Sequence, residues 1–250
     1  MLDHRLEMIK KKLANIENII LVCSGKGGVG KSLVSVSIAL ALKDKGKRVG
    51  LLDLDIHGPV IPLILDLKPE KLLGDKEGLK PVEAKGLKVM SLALYVGEKP
   101  IPLRSIFKES LILDLFSEVN WGSLDYLIVD MPPGTGDEIL IPLRLLKDKG
   151  KALIVTIPSF LSLSVVKRLI KLLKREKVPI LGLVENMSYI KCDSKIIRLF
   201  GEYNLKELNI PLLASLPFDP EIEEILVKGD DLGKAKLFWN AILKLTSKIN

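Results

Sequence analysis

Short aliphatic runs alternate along the chain with longer segments in which apolar residues recur every three or four positions. The runs "IILVC" (19–23), "RVGLLD" (48–53), "LKVMSL" (87–92), "DYLIVD" (125–130), "ALIVTI" (152–157), "ILGLV" (180–184) and "PLLASL" (211–216) read as strands. Most are continuous rather than alternating, the mark of strands buried on both faces of a parallel sheet. Helical periodicity falls between them, at 31–45, 104–118, 138–148, 162–176 and 195–207. An N-terminal helix over 1–17 would carry Leu2, Leu6, Ile9 and Leu13 on one face. A C-terminal amphipathic helix over 234–250 would carry Leu237, Phe238, Ala241, Ile242, Leu245 and Ile249 on its apolar face. Repeated strand–helix alternation predicts an α/β fold, a doubly wound and mostly parallel sheet flanked by helices. No linker or repeat interrupts it, so residues 1–250 are expected to form a single domain.

Composition sharpens this picture. Hydrophobic residues make up 48% and aromatics only 5%, so the core must be aliphatic. No apolar run reaches the roughly 18–20 residues that span a bilayer, and residues 1–18 have neither an apolar signal core nor a cleavage site. A cytoplasmic protein is expected. The net charge of +7, from 38 basic and 31 acidic residues, is spread along the chain. Its densest cluster, "KRLIKLLKRE" (167–176), has helical spacing and reads as a solvated face, so no nucleic-acid partner is expected. The two cysteines, Cys23 and Cys192, cannot build a disulfide framework. Cys23 ends an apolar run and reads as a small buried hydrophobe.

In a doubly wound sheet the ligand lies beyond the carboxyl ends of the strands, and there the polar residues gather. After the first strand comes "SGKGGVGKS", in which Gly25, Gly30, Lys31 and Ser32 satisfy G-x-x-x-x-G-K-[ST]. Backbone N–H groups of Gly25, Lys26, Gly27, Gly28, Val29 and Gly30 would wrap phosphate, assisted by the positive end of the following helix. Lys31 would bridge the outer phosphates of ATP, and the Ser32 hydroxyl would ligate Mg²⁺.

Carboxylates follow the other strands. Asp53 ends the second, and Asp55 lies two residues on, in phase with it. Asp130 closes "YLIVD" after four apolar residues, ahead of a loop containing Gly134 and Gly136. Phosphoryl transfer needs one carboxylate near the metal and another toward the attacking water. Asp130 is a candidate for the metal, through water. His57, in the same loop as Asp55, is expected to be a loop contact rather than a ligand.

The stretch with both Lys26 and Lys31 resembles the variant phosphate loop of the MinD/ParA/nitrogenase-iron-protein ATPases. That resemblance implies that Lys31 serves its own ATP while Lys26 reaches the nucleotide of a second subunit, so that the catalytic set is Lys26, Lys31 and Asp55 in a homodimer closed by ATP, with Asp55 orienting water and Asp53 supporting the metal. Within that group, "SGKGGVGKS", "VGLLDLDIHGP", "WGSLDYLIVDMPPGTGD" and "VPILGLVENMSYI" are similar to the Mrp-type ATPases, carriers or scaffolds of iron–sulfur clusters. The similarity covers residues 15 to 235. It implies slow ATP hydrolysis, donor or recipient proteins for a cluster, an adenine contact from Asn186, and packing of Pro217 and Phe218 around the base.

Departures from that pattern are informative. The family's C-x-x-C pair follows "ENMSY", whereas "ENMSYIKCDSK" keeps Cys192 and has Lys195 in the second place. A dimer would offer two thiolates where a [4Fe–4S] cluster takes four. Leu33 replaces a hydroxyl residue beside the α-phosphate, Val60 replaces the serine of "GPS", and "PIPLRSIFK" (100–108) only loosely echoes an arginine-glycine-proline segment. Two other readings stay open: a MinD/ParA-like spatial or regulatory switch without a cluster, and an adaptor that binds ATP and scarcely hydrolyses it. A switch would use the C-terminal helix on a membrane; docking of that helix on its own domain is expected instead.

Overall fold

The computed structural model describes residues 2–55, 58–67, 72–97, 105–193, 195–200 and 205–249. His57 and the first part of the 100–108 segment lie outside these residues. Helix α1 (Leu2–Ala14) leads into β1 (Ile16–Cys23), the glycine-rich loop and α2 (Lys31–Asp44). Then come β2 (Val49–Asp53), α3 (Ile61–Ile64), the β3 (Gly74–Asp75) and β4 (Gly78–Leu79) pair, β5 (Val82–Ala84) and β6 (Leu87–Ser91). Helices α4 (Leu92–Val96) and α5 (Ser105–Glu118) precede β7 (Leu124–Asp130), α6 (Asp137–Leu146), β8 (Gly150–Thr156) and α7 (Phe160–Arg175). The chain continues through β9 (Ile180–Cys192), β10 (Lys195–Arg198), β11 (Leu212–Pro217), α8 (Glu221–Val227) and α9 (Lys236–Thr246).

The main sheet runs β10-β9-β8-β1-β7-β2-β6-β5, with β11 also paired to β9. Every pairing from β9 to β6 is parallel; β5 and β10 add antiparallel strands. The continuous aliphatic runs supply the middle strands, and each strand feeds both faces of the sheet. On one face Leu21, Leu127 and Ile154 pack with α1, α5, α6 and α7; on the other Val22, Ile128 and Val155 pack with α2 and α9. No helix among the described residues is long and apolar enough to cross a membrane.

Three departures from the sequence expectation bear most on the fold. The first helix stops at Ala14 because Ile16 is already paired with Leu124 and buried. The Lys149 ammonium donates to the carbonyls of Leu13, Ala14 and Ile16, satisfying the helix end. At the other terminus α9 covers Lys236–Thr246 and buries Phe238, Trp239, Ile242 and Leu245 against α2 and β11. The larger correction concerns 195–207, where the sequence reads as a helix. Residues 195–198 form β10 instead, antiparallel to an extended β9, and Leu205–Leu208 is a short 3₁₀ turn. Asp193 adopts φ 51°, reversing the chain so that β9 can template β10.

Candidate functional site

Strand register builds the site. Asp53 is level with Asp130 on one side and Ser91 on the other, and Asp130 is level with Val22 of β1. The ends of four parallel strands therefore present polar groups beside the loop that leaves β1. That loop turns at Gly28 and Gly30, with φ of 75° and 77°, and passes straight into α2. A side chain at Gly30 would be strained by its φ and would meet Asn186 Nδ2 at 2.3 Å. A cleft of about 450 Å³ opens here, lined by Lys26, the residues from Gly27 to Leu33, Asp55, Gly58 and Val60.

Asp130 is the centre of the polar network. It is fully buried, and three neighbours converge on its carboxylate. Ser32 Oγ donates to Oδ2 at 2.6 Å, Ser35 Oγ to Oδ1 at 2.6 Å, and Lys31 Nζ lies 2.7 Å from Oδ2. The Lys31 contact is an ion pair without an aligned hydrogen bond. Asp53, also buried, accepts from Ser91 Oγ at 3.0 Å and from the Asp55 N–H at 3.0 Å. Burial, followed by the neighbouring Asp130 charge, pushes its pKa up to about 7. Asp55 is half-buried at the cleft and accepts from the Gly58 N–H.

The structure thus brings Gly25, Lys26, Gly27, Gly28, Val29, Gly30, Lys31, Ser32, Leu33, Asp53, Asp55 and Asp130 to one end of the sheet. Other candidates lie apart from the cleft wall. Asn186, 1% exposed, sits beneath the loop and donates from Nδ2 to the Val29 carbonyl at 2.9 Å. Pro217 is buried at the end of β11; Phe218 is 42% exposed, and its N–H donates to the Tyr189 carbonyl. Cys192 is exposed at the end of β9, directly across from Lys195 on β10. Cys23 is buried, and desolvation pushes its pKa up to about 12. Sequence reading missed Ser24, Ser35 and Ser91. A serine closing the aliphatic run "LKVMS" was a signal for Ser91, and the spacing of Ser35 four residues after Lys31 was a signal for a shared helix face.

The residues fit an anionic phosphate ligand. Ser24 Oγ and Lys31 Nζ are buried at the loop, and neither has a hydrogen-bond partner among the described residues. Orphaned donors of this kind are costly unless something fills the site. The oxygens of Ser32, Asp53 and Asp130 suit a hard cation such as Mg²⁺. Among the described residues no group of three or more His, Cys, Asp or Glu is placed to hold a metal alone, so a cation here would need further oxygens from water or a bound ligand.

Comparisons with known proteins agree with this arrangement. The family model described as NUBPL iron-transfer P-loop NTPase matches residues 15–249. An iron–sulfur cluster carrier protein of Saccharolobus solfataricus is 42% identical over 231 residues, covering 89% of this chain and 78% of that protein. A cytosolic Fe–S cluster assembly factor NUBP1 homologue of Brugia malayi is 39% identical over 244 residues, covering 92% and 79%. Among solved structures, a nucleotide-binding protein of Archaeoglobus fulgidus in complex with ADP superposes with a TM-score of 0.81 at 35% identity, covering 94% and 95%. The cell-division ATPase MinD of Pyrococcus furiosus shares the fold, with a TM-score of 0.70 at 23% identity over 93% and 98%. The chain belongs to the NUBPL iron-transfer P-loop NTPase family.

Proposed function

We propose that this chain is a Mg-ATP-dependent ATPase that works as one nucleotide-binding domain, pairs with a second copy around ATP, and assists iron–sulfur cluster transfer in the cytoplasm. The observation that carries the reading is Lys31: a buried ammonium at the phosphate loop, held by an ion pair to Asp130 and lacking any aligned hydrogen bond. With nucleotide bound, Lys31 would exchange that contact for the outer phosphates, and the Ser32 hydroxyl would hold the cation. Bound Mg²⁺ supplies charge neutralisation on the phosphate oxygens. Asp55, at the cleft wall, orients the attacking water. Lys26, half-buried at the rim, would serve the nucleotide of the second copy.

The cluster is cargo. Cys192 is exposed at the β9–β10 hairpin and offers one thiolate per chain, with Lys195 opposite it. Lysine is a hard nitrogen donor, so it does not replace a thiolate. Two copies therefore supply half of an ordinary four-thiolate set, and the donor or recipient protein supplies the remainder during transfer. The hairpin also favours a second reading, a nucleotide-driven switch that has no cluster of its own.

Anaerobic iron–sulfide reconstitution of the wild type and Cys192→Ala, with ATP turnover of the wild type and Asp55→Ala, tests the proposal. Iron and sulfide retained by the wild type and lost in Cys192→Ala support cargo binding. Turnover lost in Asp55→Ala with ATP binding intact supports hydrolysis. A wild type that hydrolyses ATP and takes up no iron leaves the switch.

A further inference from the structure

Resting on the nucleotide-site reading above, we infer that Ser35 is the lasting anchor of Asp130, the positioning residue that aims one carboxylate oxygen at the metal shell. The two oxygens of Asp130 are held differently. Oδ2 is shared by Ser32 Oγ and Lys31 Nζ, both of which have duties toward the nucleotide. Oδ1 is held by Ser35 Oγ at 2.6 Å. When Lys31 and Ser32 turn to phosphate and cation, Oδ2 is released toward the metal shell while Oδ1 keeps its donor.

Placement makes Ser35 suited to this. It lies one turn past the phosphate loop on α2, fully buried, where α2 packs over the sheet. Its single hydroxyl proton has two acceptors in reach, Asp130 Oδ1 at 2.6 Å and the Lys31 carbonyl at 3.1 Å. The shorter, charge-assisted bond takes the proton. The peptide that follows Asp130 is fixed at both its polar groups: the Leu54 N–H donates to the Asp130 carbonyl, and the Met131 N–H donates to the Val22 carbonyl. With the backbone held, rotation of the carboxylate is the remaining freedom, and Ser35 removes it.

Ser37 provides an internal control. It is equally buried on the same helix, and its Oγ donates at 2.7 Å to the Leu33 carbonyl, four residues back, with no carboxylate involved. Loss of either hydroxyl removes a helix-interior serine; only loss of Ser35 strips Asp130 of a donor.

The experiment is calorimetric titration of ADP into full-length wild type, Ser35→Ala, Ser35→Thr and Ser37→Ala, each in Mg²⁺ and in EDTA. The wild type is expected to bind ADP more tightly with Mg²⁺. Ser35→Ala should lose about tenfold or more of that Mg²⁺-dependent tightening, the scale of a hydrogen bond to a charged group. Its affinity in EDTA should be unchanged. Ser37→Ala should match the wild type in both buffers, and Ser35→Thr should recover the tightening. Mg²⁺-dependent tightening intact in Ser35→Ala, or equal losses with and without Mg²⁺, would overturn the inference while leaving the nucleotide site standing. A wild type that binds no ADP in either buffer would instead sink the nucleotide-site reading, and the inference with it.

Discussion

Asp53 and Asp130 are level with each other at the ends of adjacent parallel strands, and both are buried, 1% and 0% exposed. Burial of Asp53, and after it the charge of the neighbouring Asp130, pushes its pKa up to about 7. In the unfolded chain an aspartate titrates near 3.8. Between those values the native state holds a proton that the unfolded state has released. Asp53 therefore contributes no penalty at low pH, and stability falls as pH rises from about 4 through about 7.

Thermal melts of nucleotide-free, metal-free protein across that window are expected to show the fall, amounting to a few kcal/mol by order of magnitude. Asp53→Asn should flatten it, because an amide does not ionise. Parallel melting curves for the two proteins would show that Asp53 is ionised throughout.

Lys31 is expected to matter to stability as well as to binding. Removing one partner of a buried ion pair costs about 3–5 kcal/mol, because the other charge is left uncompensated. Two serine hydroxyls remain on Asp130, so Lys31→Ala should fall at or below the low end, about 2–3 kcal/mol. Urea unfolding without nucleotide measures this. Equal midpoints for the two proteins would mean that the Lys31–Asp130 contact is energetically idle in the free state.

Lys26 should behave in the opposite way. It is a half-buried rim residue with no hydrogen bond or ion pair among the described residues, and substitutions away from such features fall within about 0.5 kcal/mol. Lys26→Ala is expected to leave stability and ATP binding unchanged while abolishing turnover and ATP-dependent dimerisation. Size-exclusion chromatography with light scattering, with and without ATP, reads the second effect. A variant that dimerises and turns over normally would place Lys26 outside the reaction.

The polar end of the sheet was legible because strand ends and loop glycines carry chemistry that packing alone does not demand. Asp53, Asp55 and Asp130 follow aliphatic runs, and continuous runs imply parallel strands whose ends line up. Ser35 was legible only as sharing a helix face with Lys31: its contact with Asp130 depends on how α2 sits over β7, which no local pattern encodes. The 195–207 segment failed for a related reason. Apolar residues at 196, 197, 199 and 200 satisfy helical spacing, yet Ile196 and Ile197 are exposed on opposite faces of a strand. The edge of β9 decided between the two, and tertiary pairing overrides local periodicity.

The docked C-terminal helix separates a structural role from a membrane role. Phe238 is fully buried between α2 and the sheet. Phe238→Ala should cost about 3–5 kcal/mol, whereas replacing exposed Lys244 with serine should stay within about 0.5 kcal/mol. Full-length protein is then expected to remain in the supernatant with anionic liposomes, with or without ATP. ATP-dependent pelleting would show that α9 leaves its seat.

Cys192 and Lys195 form a cross-strand pair, and this makes the missing thiol directly testable. Opposed side chains in an antiparallel ladder have Cβ atoms about 4.5–5.5 Å apart, a spacing that lets two thiolates share one metal centre. In the wild type, alkylation under native conditions should modify one thiol, Cys192, because burial and a pKa of about 12 protect Cys23. Lys195→Cys should add a second reactive thiol per chain. If two hairpins meet across the dimer, the variant would assemble four thiolates and take up about four irons per dimer on anaerobic reconstitution. Iron content no higher than that of the wild type would mean that the hairpins do not face each other, and that this surface meets a different protein.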